Sequence, residues 1–171
     1  MDDLRDRIKG ERSFLEKIGK IIPGYSGYKE KLMAQEADKL LREHLVQKLS
    51  ESMGHMRDII DELSRGMKLK FMDAADRPLK KCEKLKDRIK FADHGYSGWF
   101  ESLKVDSSVL DKMYEFDNRL IEFSSRLDER VRELKSNVGN DEALEPGLKQ
   151  LYAMIDETDR AYNERENFLI R

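Results

Sequence analysis

The stretch from Ala37 to Leu63 reads ADKLLREHLVQKLSESMGHMRDIIDEL, and its spacing decides the fold. Apolar residues recur at Ala37, Leu41, Leu45, Leu49, Met53, Met56, Ile60 and Leu63, in steps of three and four. That period lines one face of an α-helix and leaves the charged residues on the other. Between Tyr28 and Arg65 there is no proline, and glycine occurs only at Gly54. A single helix of roughly 55 Å follows, at about 1.5 Å per residue. Alone in water such a helix is marginal, so its stripe needs a partner along the whole length.

Outward from this stretch the same period recurs. Leu4, Ile8, Phe14, Leu15, Ile18, Ile21 and Ile22 mark a first helix from about Asp2 to Ile22, stopped by Pro23-Gly24. After a break at Gly66, a third helix is predicted from near Ala74 to Asp93, with Pro78 in its first turn. Asp106-Ser107-Ser108 offers N-caps for a fourth, where Ser108 and Asp111 have capping-box spacing. Its seam runs through Met113, Phe116, Leu120, Phe123, Leu127, Val131 and Leu134, and Asn137-Val138-Gly139-Asn140 ends it. The last helix passes through Leu144, Leu148, Leu151, Ile155, Thr158, Tyr162 and Leu169. It starts near Asp141 or, if Glu145-Pro146-Gly147 delays it, at Pro146. The expected fold is all-α: one domain over residues 1–171, an elongated antiparallel bundle of four to five helices, two of them long.

Composition agrees. Of 171 residues, 40% are charged and 39% apolar, with three prolines, a mixture suited to helices with one apolar stripe. A net charge of −2 argues against general electrostatic binding of nucleic acid. The charge is unevenly placed. Residues 66–90 hold nine Lys/Arg against four acids, whereas residues 141–171 hold eight acids against four bases. The simplest expectation is a basic helix packed beside an acidic one; a surface for an anionic partner is the sharper one. The lone cysteine, Cys82, has no disulfide partner within the chain and sits on the repeat Leu79, Cys82, Leu85, Ile89 as a small buried hydrophobe. The charged start Met1-Asp2-Asp3-Leu4-Arg5-Asp6 is unlike a signal peptide, and no apolar run reaches membrane-spanning length, so a cytoplasmic protein is expected.

One local motif stands apart. Gly24-Tyr25-Ser26-Gly27-Tyr28 recurs as Gly95-Tyr96-Ser97-Gly98-Trp99-Phe100, each copy between a helix and a long helix. The glycines permit a tight reversal, while Tyr25, Tyr28, Tyr96, Trp99 and Phe100 supply rings that either seal a bundle corner or form a docking patch. Ser26 and Ser97 can accept a hydrogen bond from an exposed backbone N–H. A degenerate internal repeat over about residues 24–65 and 95–137 is suggested, in two competing registers. One pairs Asp38 with Asp111; the other pairs Glu36-x-Asp38 with Glu115-x-Asp117.

Reactive chemistry has little support. His44, His55 and His94 are scattered, and the first two lie about 16 Å apart on one helix, too far to share a metal. No Glu-x-x-His, His-Glu-x-x-His or phosphate-loop pattern occurs, and one cysteine makes no zinc site. Asp38 and Arg42 form an attractive pair one turn apart. Asp38 and Asp117 are the candidate buried polar residues. Asp117 lies at the edge of the fourth-helix seam and needs a partner there, such as Arg42 or a corner tyrosine.

The two glycine–tyrosine motifs, with Glu36-Ala37-Asp38-Lys39-Leu40-Leu41-Arg42 after the first, resemble an uncharacterised family of prokaryotic helical proteins. The resemblance covers roughly residues 22–134 and implies a helical fold but no activity or catalytic residues. The expected function is a non-enzymatic scaffold or protein-interaction module, without cofactor, whose partner is a protein or a second copy in a dimer. The alternative is a regulatory bundle that binds a metal ion or a phosphate-containing ligand. It would do so through carboxylates such as Asp38, Asp111 and Asp117, or through the Gly-Tyr-Ser-Gly corners.

Overall fold

The computed structural model describes residues 2–92 and 106–170, which form an all-α helical bundle. Its helices are α1 (Asp2–Ile21), α2 (Lys31–Arg65), α3 (Met72–Lys90), α4 (Ser107–Ser136) and α5 (Asp141–Ile170). The second Gly-Tyr-Ser-Gly, with Tyr96, Ser97, Trp99 and Phe100, lies outside the described residues, as does His94. Three helices are long rather than two: α2 has 35 residues, and α4 and α5 have 30 each.

The core is built by α2, α3, α5 and α4, each packed against the next around the bundle. Helices α2 and α3 form one antiparallel hairpin and α4 and α5 another, the two hairpins lie side by side, and α1 runs alongside α4 in the same direction. Ser52 pairs with Asp128 and Asp58 with Lys135, so α2 and α4 are parallel. Likewise Lys81 meets Asp156 and Arg88 meets Asp159 and Glu166, so α3 and α5 are parallel. The basic segment therefore packs beside the acidic one. The α2 stripe is buried at Ala37, Leu41, Leu45, Leu49, Met53, Met56 and Leu63, where each fully buried large aliphatic side chain contributes about 1.5–3 kcal/mol. Cys82 is fully buried, and its thiol faces the Leu49 carbonyl at 3.9 Å.

Several boundaries differ from expectation. Helix α2 begins at Lys31, not Tyr28, because residues 22–30 form a corner with Gly24 and Gly27 both at φ 88°. Helix α3 begins at Met72, after a 3-10 turn at Leu69–Phe71, which puts Pro78 in the second turn as a buried residue. The α4 N-cap is Asp106, whose carboxylate accepts from the Ser108 amide at 3.0 Å, in place of a Ser108–Asp111 box. Helix α5 runs through Pro146 from Asp141. At the end of α2 the left-handed residue is Met67 (φ 55°), not Gly66, and the Lys68 amide closes a Schellman turn on Leu63 O at 2.9 Å. Lys68 Nζ then reaches Val138 O at 2.9 Å and Asp141 Oδ1 at 2.6 Å, tying the two hairpin turns together at one end of the bundle.

Candidate functional site

At the opposite end a polar cluster fills the core. The corner after α1 turns Tyr25 and Tyr28 inward; both are buried, Tyr28 completely, while Ser26 between them is exposed. Tyr25 Oη donates to Asp117 Oδ2 at 2.7 Å, and Tyr28 Oη donates to the same oxygen. Arg165 from α5, fully buried, donates through Nε to Asp117 Oδ1 at 2.9 Å. Its Nη2 donates to Asp38 Oδ1 at 2.8 Å and to Tyr28 Oη at 3.1 Å. Arg42 Nε closes the cluster on Asp38 Oδ2 at 2.9 Å. Two cations meet two carboxylates, and the corner, α2, α4 and α5 are joined through one guanidinium.

The hydrogen-bond directions follow from this geometry. Tyr28 Oη accepts from Arg165, so its own proton goes to Asp117. Burial pushes the Asp117 carboxyl up, while the Arg165 guanidinium and the two phenols pull it back. Since all three donate to it, we assign Asp117 the charged form. Burial also works against the charge on Arg165, but Asp117, Tyr28 and Asp38 outweigh it and hold the guanidinium protonated. Arg165 Nη1 is buried with no hydrogen-bond partner among the described residues.

Around this cluster the aromatic rings pack against one another. Tyr25 and Tyr28 meet edge to face at 6.1 Å, and Tyr114 lies 5.8 Å from Tyr28 and 4.9 Å from Phe14. Tyr114 Oη donates to Glu11 of α1 at 3.4 Å and accepts from the Tyr28 amide at 3.4 Å, so α1 is docked on α4 through this ring. Burial raises Tyr25 and Tyr28 well above the ordinary tyrosine range, and takes Tyr114 to about 12 and Cys82 to about 12. Each of these groups holds its proton more tightly folded than unfolded. Their contribution to stability is whole below about pH 9 and is lost as the pH rises toward 12. In an alkaline titration, loss of helical circular dichroism should therefore accompany ionisation of the buried phenols. Full tyrosinate absorbance in a still-helical protein would contradict their burial.

Asp38 and Asp117 occupy equivalent places on the parallel helices α2 and α4. With these two aligned, buried residues coincide at Ala34 and Met113, Leu41 and Leu120, Leu45 and Ser124, Leu49 and Asp128, and Ser52 and Val131. The register pairing Asp38 with exposed Asp111 brings only two buried pairs together among the described residues, Ala37 with Leu110 and Leu41 with Tyr114. Both carboxylates are engaged by guanidinium groups. No group of three or more His, Cys, Asp or Glu among the described residues could hold a metal ion.

Arg165 was missed from sequence, although a signal existed. The apolar series of α5 steps by three and four to Tyr162 and then leaps seven to Leu169; Arg165 fills the vacant place. In α4 the buried register is Met113, Asp117, Leu120, Ser124, Leu127, Val131 and Leu134. Phe116 and Phe123, expected on the seam, are half-buried at its flank.

No family model matches this chain, nor does any curated protein or solved structure. A groove of about 590 Å³ lies between α3 and α5. Arg77, Lys80, Lys81, Lys84 and Lys149 surround Ala74, Leu148 and Tyr152 there, and no carboxylate lines it. Lys81 Nζ sits 5.0 Å from the centre of the Tyr152 ring and 2.7 Å from Asp156 Oδ1. That hydrogen bond raises the lysine's pKa. No helix among the described residues is long and apolar enough to cross a membrane.

Proposed function

We propose that this chain is a non-enzymatic helical-bundle interaction module whose working surface is the α3–α5 groove. The observation that carries this reading is the groove's lining of five cations around a half-exposed tyrosine with no acid among them. Recognition surfaces favour such aromatic and cationic anchors. The interior supports the same reading, since its buried carboxylates are neutralised by arginine and tyrosine rather than held ready for proton transfer or a metal.

Photocrosslinking in the native cell tests this directly. With a photoreactive phenylalanine analogue at Tyr152, a discrete protein adduct should form that is absent with the analogue at exposed Glu129 on α4. An adduct of twice the chain mass identifies the partner as a second copy. Identical labelling from both positions, or none at Tyr152, would overturn the assignment.

A further inference from the structure

The cations of the groove differ in how they are engaged. Lys80 is paired with Asp76 at 2.5 Å and Lys149 with Glu145 at 3.0 Å, both exposed pairs one turn apart on their own helices. Such pairs are worth little and exchange readily. Lys81 is held by Asp156 under the Tyr152 ring. Arg77 and Lys84 have no acidic partner among the described residues, although acids abound on this surface. They stand seven residues apart on α3, two turns or about 10 Å along its axis, and line the groove together with Ala74, Leu148 and Tyr152.

Separation on that scale does not suit one compact phosphate, which would draw its cations to a single point. It suits an extended occupant that meets a cation at each end and rests an apolar side chain between them. Two parallel helices in contact also leave a straight furrow, into which the ridge of a third helix packs. We propose that the α3–α5 groove docks an acidic amphipathic helix of a partner protein. Its carboxylates, seven residues apart, sit on Arg77 and Lys84, and an apolar residue between them rests on Tyr152. This rests on the reading of the chain as an interaction module and supplies the chemistry of its partner.

The test uses the full chain and a fluorescent synthetic helix of about four turns, with two glutamates seven residues apart and a leucine midway. A scrambled peptide of the same composition is the comparison. The ordered peptide should bind at least about tenfold more tightly than the scrambled one. Arg77→Glu with Lys84→Glu should weaken it by a further factor of about ten or more, since like charges then face each other. Both side chains line a solvent-open groove, so the variant should keep the parent's thermal melt. A peptide with lysines at the two glutamate positions should bind this variant in preference to the parent. Equal binding of ordered and scrambled peptides would overturn the proposal. So would full competition by inorganic tripolyphosphate or heparin, which would mark the groove as a general anion surface. A protein adduct at Tyr152 without peptide binding would overturn this inference alone; absence of both would remove the interaction reading as well.

Discussion

Replacing Arg165 by methionine is expected to lower the unfolding free energy by about 3–5 kcal/mol, read from urea unfolding at neutral pH. For a chain of this size that is a fall of roughly 10 °C or more in Tm. The cause is not the lost pair itself. Arg165 is the shared partner of Asp117 and Asp38, and without it Asp117 becomes a fully buried carboxylate with only two phenols to solvate it. Removing the Asp117 charge as well isolates that cause. Arg165→Met combined with Asp117→Asn should recover much of the loss, because the neutral amide still accepts from the two phenols, Asp38 keeps Arg42 as its partner, and no uncompensated charge then remains in the core. A loss below about 1 kcal/mol in the single variant would show that Asp117 is not buried as a charge.

The second large effect is expected at Gly27. Its φ of 88° is a conformation that residues with a Cβ rarely adopt, and an added Cβ would stand 2.5 Å from Tyr114 Oη and 3.0 Å from Leu15 Cδ2. Gly27→Ala therefore combines backbone strain with displacement of the ring that docks α1 on α4, for a total of about 2–4 kcal/mol. Gly10→Ala is the control. It lies within α1 with nothing near its Cβ position, and the change should stabilise the helix by about 0.5–1 kcal/mol. Equal melting temperatures for the two variants would refute the strain assigned to the corner.

How much of this could be read beforehand varied from element to element, for physical reasons. Apart from Ile60, which is half-buried while Ile59 takes the core position, the α2 stripe was legible because a period sustained over about seven turns leaves little ambiguity, and the i,i+4 pair Asp38–Arg42 is a property of one helix. The charge imbalance between residues 66–90 and 141–171 pointed to the contact of α3 with α5. The side-by-side arrangement of the hairpins was not legible, because spacing specifies which face is buried and says nothing of the neighbour that covers it. The polar cluster was half legible. Asp117 was marked as needing a partner, and the corner tyrosines were named among the choices, whereas Arg42 reaches Asp38 instead. Arg165 was hidden because a hydrophobic pattern discards charged residues at the very positions where a buried ion pair must sit. Phe116 and Phe123 drew the α4 seam toward themselves for the same reason.

The Arg165 cluster also bears on the order in which the molecule assembles. Hairpins α2–α3 and α4–α5 close through short turns, whereas Arg165 meets Asp38 and Tyr28 across 127 and 137 residues of chain. Contacts so distant along the chain carry the largest loop-closure entropy and gain most once the hairpins are already formed. The guanidinium thus locks a nearly complete bundle rather than nucleating it. In stopped-flow measurements the Arg165→Met loss should fall on the unfolding limb of the chevron, with folding rates little changed. A charge cluster at one end of the core would then govern the lifetime of the native state, and with it the protein's resistance to proteolysis, more than the speed at which that state is reached.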